Sequence, residues 1–206
     1  MTLKIYGTPR SNTIRPLWLV HELGLEYQLV EVPLGAGGSR KPDYLRLNPN
    51  GKVPCIDDDG VILWESLAIN LYLAKKYGGP LGPASLAEEG RMLQWGFWSA
   101  IEIEQPATTV LYHGAVLPPE QRDPAAVRTA LETLEAPLRV LEDALKEGAG
   151  HLVGRRFTVA DLNAICCVFY LRSAPSTLES KPAIRAWYEA SMARPANRAA
   201  LALRGE

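Results

Sequence analysis

The stretch Gly78-Gly79-Pro80-Leu81-Gly82-Pro83-Ala84-Ser85 sets the terms on which this chain can fold, because three glycines and two prolines crowd into eight residues. Glycine resists ordering and proline removes a backbone donor, so neither a helix nor a central strand continues through it. It reads as a linker over 79–85, leaving a first module at 1–78 and a second at 86–206. A length of 206 residues agrees: too long for one minimal core, short for two large domains.

The first module alternates in character. Leu3-Lys4-Ile5-Tyr6 is a short strand ended by Gly7 and Pro9, and Tyr27 to Val32 is another. Between them Ile14, Leu17, Trp18 and His21 recur at three- and four-residue steps, a helical stripe closed by Gly24. Pro42 to Leu47 reads as a short helix. Val53 to Asp57 and Val61 to Trp64 read as a hairpin turning through Asp57-Asp58-Asp59-Gly60. A helix from Glu65 to about Tyr77 follows, with Leu67, Leu71 and Ala74 on one face. The order βαβαββα predicts a mixed sheet packed by helices, an α/β module.

The second module shows no strand series. Val127, Leu131, Leu134, Leu138, Leu141 and Leu145 step by 4-3-4-3-4, the buried seam of one amphipathic helix. Asp123-Pro124 supplies its N-cap and first-turn proline, and Pro137 is expected to kink it. Thr158-Val159-Ala160-Asp161 has capping-box spacing, with Asp in place of Glu or Gln. The second module is therefore predicted to be all-helical.

Composition narrows the functional classes. Hydrophobic residues make up 47% and charged ones 22%, as in ordinary globular proteins. With 22 basic and 23 acidic residues the net charge is −1, which gives no pull toward nucleic acid or an anionic membrane. The longest largely apolar run, Leu162 to Leu171, is about half the ~20 residues that a spanning helix needs. Met1 to Gly7 has no extended apolar region before a small-residue cleavage site, so no secretory signal is expected. Cys55, Cys166 and Cys167 form no C-x-x-C pair, which predicts a reducing, cytoplasmic setting. His21, His113 and His151 are isolated, and no metal site is expected.

Three segments carry candidate chemistry. Gly7-Thr8-Pro9-Arg10-Ser11-Asn12-Thr13 runs from the first strand into the first helix, where ligands of open α/β sheets collect. Ser11, Asn12 or Thr13 can donate to a developing negative charge there, or simply cap the helix. Asn48-Pro49-Asn50-Gly51-Lys52-Val53-Pro54 places a proline at the start of an apolar strand. A cis Val53–Pro54 bond would turn the Val53 N–H and C=O outward, ready to pair with a peptide-like ligand. In Trp64-Glu65-Ser66-Leu67-Ala68-Ile69, Ser66 with the first-turn N–H groups suits a carboxylate and Glu65 suits an ammonium group. A cap with an acidic first turn explains the same residues.

Taken together these segments resemble the glutathione S-transferase family, over the whole chain. The resemblance rests on an ordered set: strand-Tyr6-Gly7, Ser11 and Arg15; Asn48-Pro49-x-Gly51-Lys52-Val53-Pro54; Glu65-Ser66-x-Ala68-Ile69; Leu152-Val153-Gly154, Phe157-Thr158-x-Ala160-Asp161. In kind it resembles cytosolic, serine-type, phi/theta-like bacterial members.

The resemblance implies a thioredoxin-like N-terminal domain followed by an all-α domain. It implies that Pro54 is cis, that the Val53 backbone pairs with the cysteinyl part of glutathione, and that Glu65 and Ser66 hold its γ-glutamyl end. Lys52, which stands where many serine-type relatives carry Gln, would face the glycyl carboxylate together with Arg40 or Lys41. Ser11 would be the catalytic donor to the sulfur, with Tyr6, Asn12 and Thr13 as rivals. Glutathione enters as a co-substrate, with no other cofactor. The second substrate would be a small apolar electrophile, with Trp98 and Tyr112 as candidate contacts. The resemblance also implies a homodimer. Glutathione-dependent peroxide reduction and a non-catalytic binding or regulatory scaffold are its alternatives.

Overall fold

The computed structural model describes residues 3–205. Met1 and Thr2, part of the stretch considered above for a secretory signal, and Glu206 lie outside the described residues. The chain divides into two compact units. One runs to Gly82 and resumes at Met192, and the other spans Pro83–Ser191.

The first unit has a thioredoxin-like arrangement, a four-stranded mixed sheet with helices packed on it. Its elements are β1 (Leu3–Gly7), α1 (Ile14–Leu23), β2 (Gln28–Glu31), α2 (Pro42–Leu45), β3 (Cys55–Asp58), β4 (Val61–Trp64) and α3 (Ser66–Tyr77). The strand order is β2-β1-β3-β4, with β1 parallel to β2 and antiparallel to β3, and β3 antiparallel to β4. The expected first strand forms, and its burial alternates: Leu3, Ile5 and Gly7 are buried, Lys4 and Tyr6 half-buried.

Helix α1 buries Leu17, Trp18, Leu19 and Val20 and stops at Gly24, whose φ of 63° is the left-handed cap glycine tolerates best. The β3–β4 turn closes at Asp59 and Gly60, with the Gly60 N–H donating to Asp57 Oδ1 at 2.9 Å. Beside it Asp58 is fully buried and accepts from Lys76 Nζ at 2.7 Å and the Tyr77 hydroxyl at 2.6 Å.

The buried face of α3 differs from the expected one. Ala74 faces inward, but its companions are Ser66, Ile69, Asn70 and Leu73, while Leu67 and Leu71 are only half-buried. Two polar residues occupy the inner stripe, so hydrophobic periodicity pointed to a face rotated from the true one.

Residues 192–205, which the sequence places in the helical module, group with the sheet unit instead. Helix α10 (Pro195–Ala202) packs against α1. Arg194, just before it, forms a two-pronged ion pair with Glu22, Nε to Oε1 at 2.6 Å and Nη2 to Oε2 at 2.7 Å. The Trp18 indole donates to the same carboxylate at 2.8 Å. Sequence spacing carries no trace of such contacts between distant segments.

The second unit is all-helical. Its helices are α4 (Leu86–Trp98), α5 (Gln105–Leu111), α6 (Pro124–Glu147), α7 (Val159–Val168), α8 (Ser176–Glu179) and α9 (Pro182–Met192), the last ending at the unit boundary. Ser99–Glu104 and Tyr112–Val116 are wider π-helical turns that flank α5. The first of them ends two residues before Pro106, whose ring crowds the carbonyl four residues back and which donates no N–H, and the wider turn accommodates it.

Helix α6 starts as expected, with the Asp123 carboxylate accepting from Ala125 N–H at 2.8 Å and Ala126 N–H at 3.1 Å. Leu134, Leu138, Leu141 and Leu145 are fully buried, while Val127 and Leu131 are half-buried. The helix continues through Pro137 as one element. From its inner face the Glu142 carboxylate accepts from Ala183 N–H at 3.1 Å and Ile184 N–H at 2.9 Å, capping α9 from outside. At the start of α7, Thr158 and Asp161 form the capping box. Among the described residues no helix is long and apolar enough to cross a membrane.

Candidate functional site

The sheet register brings the three sequence segments to one edge. Tyr6 lies opposite Cys55, and Cys55 opposite Trp64. The loop leaving β1, the residues entering β3 and the β4–α3 junction therefore emerge side by side. A buried hydrogen bond ties two of them: Arg15 Nη1, in the first turn of α1, donates to Ser66 Oγ at 3.2 Å.

The loop after β1 is built around Gly7, whose φ is 152°. A Cβ there would overlap the Thr13 hydroxyl, so the absence of a side chain lets Thr13 fold back over the strand end. Thr13 is fully buried, whereas Ser11 is half-buried. Ser11 Oγ donates to the Thr8 carbonyl at 2.7 Å, accepts from Thr13 N–H at 3.2 Å and lies 2.9 Å from Thr13 Oγ1. Ser11 thus closes the turn before α1 without capping the helix, and its side chain is half-buried. Thr13 itself caps nothing with its side chain. Burial removes Thr13 as a direct contact for a ligand. Next to Ser11, Arg10 Nε donates to the Arg204 carbonyl at 3.1 Å, bracing the loop against the end of the first unit.

Gly7→Ala is expected to destabilise the protein by about 2–4 kcal/mol, the combined cost of a disfavoured φ and steric overlap. Denaturant unfolding measures it. Thr13→Ala in the same chain should recover part of the loss, because it removes the atoms that the new Cβ meets.

The second segment is held from behind. The Val53–Pro54 peptide is cis. Tyr44 donates from its hydroxyl to the Lys52 carbonyl at 2.6 Å, and Asn48 Nδ2 donates to the same oxygen at 2.7 Å. Asn48 Oδ1 in turn accepts from Asn50 N–H at 3.1 Å. The Val53 N–H and C=O take part in no backbone hydrogen bond among the described residues. Arg40 Nη1 donates to the Asn50 carbonyl at 3.3 Å, across Gly51, where a Cβ would press on that guanidinium. The Arg40, Lys41 and Lys52 side chains are all exposed.

At the third segment Glu65 has φ 73° and ψ 108°, a conformation unusual for a residue with a side chain. Such backbone strain, of order 1–3 kcal/mol, gathers at ligand-binding positions. Glu65 is exposed and Ser66 is buried in the first turn of α3.

Tyr6 packs with Leu47 and Val53 against a buried cluster of Val32, Tyr44 and Cys55. Burial, with the negative charge of Asp57 next, raises its pKa, which keeps the phenol neutral. Burial and then Asp57 push the Cys55 thiol up to about 11, so it is no nucleophile at neutral pH. All three cysteines are buried and free. Among the described residues no three His, Cys, Asp or Glu side chains gather as a metal-holding group.

Trp98 and Tyr112 belong to the second unit. Trp98 is half-buried and meets Trp95 edge-on, with ring centroids 5.0 Å apart, while Tyr112 is 47% exposed at the start of a π-helical turn.

Three residues of the first unit matter more than sequence reasoning credited. Arg15, which enters the sequence pattern only as a spacing after Ser11, is 3% exposed and holds Ser66. A charged residue inside an apolar helical stripe was the available signal. Tyr44 and Asn48, which fix the Lys52 carbonyl, gave none beyond the turn-forming Asn-Pro pair.

Comparison with known proteins identifies the family. Residues 1–75 match the glutathione S-transferase N-terminal domain and residues 105–195 the C-terminal domain of the same family. Glutathione S-transferase 1 of Triticum aestivum is 34% identical over 212 residues, covering 94% of this chain and 91% of the relative. The crystal structure of glutathione transferase F7 from Populus trichocarpa superimposes with a TM-score of 0.87 at 29% identity, covering 98% of both chains. A structure of glutathione S-transferase-I bound with lactoylglutathione gives the same TM-score and identity over 98% of this chain and 99% of the other. The wheat and poplar proteins come from plants and lend no support to the bacterial character expected from the sequence. With its whole length matched at this level, the chain is a member of the glutathione S-transferase family.

Proposed function

We propose that the chain is a glutathione transferase of the serine-using, phi-like kind, which activates the thiol of glutathione for attack on an apolar electrophile. The observation that carries the reading is the convergence, on one sheet edge, of a half-buried Ser11 hydroxyl, a cis Val53–Pro54 peptide with unpaired Val53 backbone groups, and the Glu65-Ser66 pair. The lactoylglutathione bound by a structural relative is a ligand of the same chemical type.

In this reading the Val53 N–H and C=O pair with the cysteinyl residue of glutathione. Ser66 and the first N–H groups of α3 receive the γ-glutamyl carboxylate, and Glu65 receives its ammonium group. Arg40 and Lys52 face the glycyl carboxylate; Lys in place of a planar amide makes that contact charged and less directional. Ser11 donates to the sulfur and so favours the thiolate, the nucleophilic form. The thiol proton passes to solvent, sulfur bonds to the electrophilic carbon, and the leaving group departs with the bonding pair. For the electrophile, Tyr112 offers an exposed aromatic face, and Trp98 is the second proposed contact. Leu93, Phe97 and Ile101, exposed at four-residue steps, suit a homodimer contact. A cytoplasmic detoxifying enzyme is the role that fits these parts.

Titration calorimetry with glutathione, followed by assays with an aryl halide and an organic hydroperoxide, tests the reading. Heat on binding and turnover of the halide are expected. Turnover of the hydroperoxide alone would move the activity to peroxide reduction. Silence in all three would leave a non-catalytic scaffold.

A further inference from the structure

Two hydroxyls meet in the loop that opens α1, and only one of them is reachable. Thr13 is fully buried, and its Oγ1 lies 2.9 Å from Ser11 Oγ. A buried hydroxyl keeps its proton in a hydrogen bond, and Ser11 Oγ is the partner that the described residues give it. Ser11 already sends its own proton to the Thr8 carbonyl at 2.7 Å, so in the pair Thr13 is the donor and Ser11 the acceptor. The Thr13 N–H adds a second donor to the same oxygen at 3.2 Å. Space for this arrangement exists only because position 7 is glycine.

We propose that Thr13 is a positioning residue that acts through Ser11: its hydroxyl donates to Ser11 Oγ, aims the Ser11 proton at the glutathione sulfur and strengthens that donation. The proposal rests on the functional reading above. With two donors on its oxygen, Ser11 is oriented as an acceptor from the protein side, and its proton is left for an acceptor on the other side. In the unliganded chain that acceptor is the Thr8 carbonyl. A bound thiolate competes for the same proton by rotation about the Ser11 Cβ–Oγ bond alone. Hydroxyl chains polarise one another, so a proton given to Ser11 Oγ makes its own O–H a better donor to an anion. The thiolate gains most, because it carries the charge, and the effect belongs to the ionisation of the thiol rather than to binding of the tripeptide.

The test is the ultraviolet difference spectrum of the thiolate of bound glutathione, recorded across pH, with steady-state kinetics alongside. Thr13→Val keeps the shape and removes the hydroxyl. It should raise the pKa of the bound thiol by about 0.5–1 unit and lower kcat near neutral pH about three- to tenfold, with KM for glutathione changed less than about twofold. Thr13→Ser should return the thiol pKa to that of the unaltered protein. In a Ser11→Ala background the Thr13→Val shift should disappear, because Thr13 has nothing left to act through. Thr13→Ala replaces Thr13→Val if that variant does not fold. An unchanged thiol pKa in the hydroxyl-free variants overturns the proposal. So does a Thr13→Ser variant as impaired as Thr13→Val, or a shift that persists without Ser11. Absence of any thiolate band with the unaltered protein overturns the functional reading, and the relay falls with it.

Discussion

Ser11→Ala is expected to lower kcat for conjugation near neutral pH by about 10²-fold while KM for glutathione moves less than about threefold. The size follows from the charge involved. A hydrogen bond to an ionised group contributes about 1.5–3 kcal/mol, and a shift of about two pKa units in the thiol corresponds to roughly 2.7 kcal/mol. Losing it leaves a small thiolate fraction at neutral pH, and rate follows that fraction. In the proposed reading affinity is spared because Val53, Glu65, Ser66 and the basic side chains, rather than Ser11, grip the tripeptide. The substitution also deletes the bonds to Thr8 and Thr13, so thermal stability is measured in parallel to separate a misshapen loop from a missing donor. Tyr6→Phe is the informative companion. Its phenol packs on a buried cluster, and its removal should leave kcat within about threefold. An undiminished kcat for Ser11→Ala at saturating glutathione would transfer the role to Asn12 or to Tyr6.

The second large effect concerns folding. Asp161→Ala should destabilise the helical unit by about 3–5 kcal/mol, in the range of the most damaging single substitutions. One fully buried carboxylate there serves several separate donors. Oδ2 accepts from the Thr158 N–H at 2.9 Å and the Thr158 hydroxyl at 3.1 Å, and Oδ1 accepts from the Leu152 N–H at 3.1 Å and the Trp187 indole at 3.0 Å. Alanine strands all of them in a dry interior, where each unsatisfied group costs about 1–3 kcal/mol before relaxation. Denaturant unfolding followed by Trp fluorescence measures the loss, and a change below about 1 kcal/mol would show that the network relaxes instead. A Thr158→Ala variant, which removes only one partner, should cost about 1 kcal/mol.

Much of this architecture was legible in the sequence because it rests on local signals. The short strand β1 ended by Gly7, the 4-3-4-3-4 seam of α6 and the caps at Asp123 and Thr158 each follow from neighbours a few residues apart. The misreadings share one origin. The inner face of α3 includes Ser66 and Asn70, and polar residues that are buried through partners elsewhere leave no apolar periodicity to read. The return of residues 192–205 to the sheet unit depends on Arg194 meeting Glu22, a contact across 172 positions. The π-helical turn before Pro106 has a local cause instead, since a wider turn lets the helical path continue past the proline. At the candidate site the sequence names three segments, while the side chains that support them leave little sign in it. Arg15 holds Ser66 from 51 positions away, and Tyr44 and Asn48 hold the Lys52 carbonyl from eight and four positions away, through polar contacts that leave no periodic pattern.

That late return of the chain has a consequence for biosynthesis. The sheet unit is interrupted in sequence by the whole of Pro83–Ser191, so its own final helix is translated after the other unit. At roughly 5–20 residues per second, the surface of α1 that receives α10 waits on the order of 5–20 s for its cover. During that interval α1 stands without the helix that packs on it, and Glu22 without its Arg194 partner.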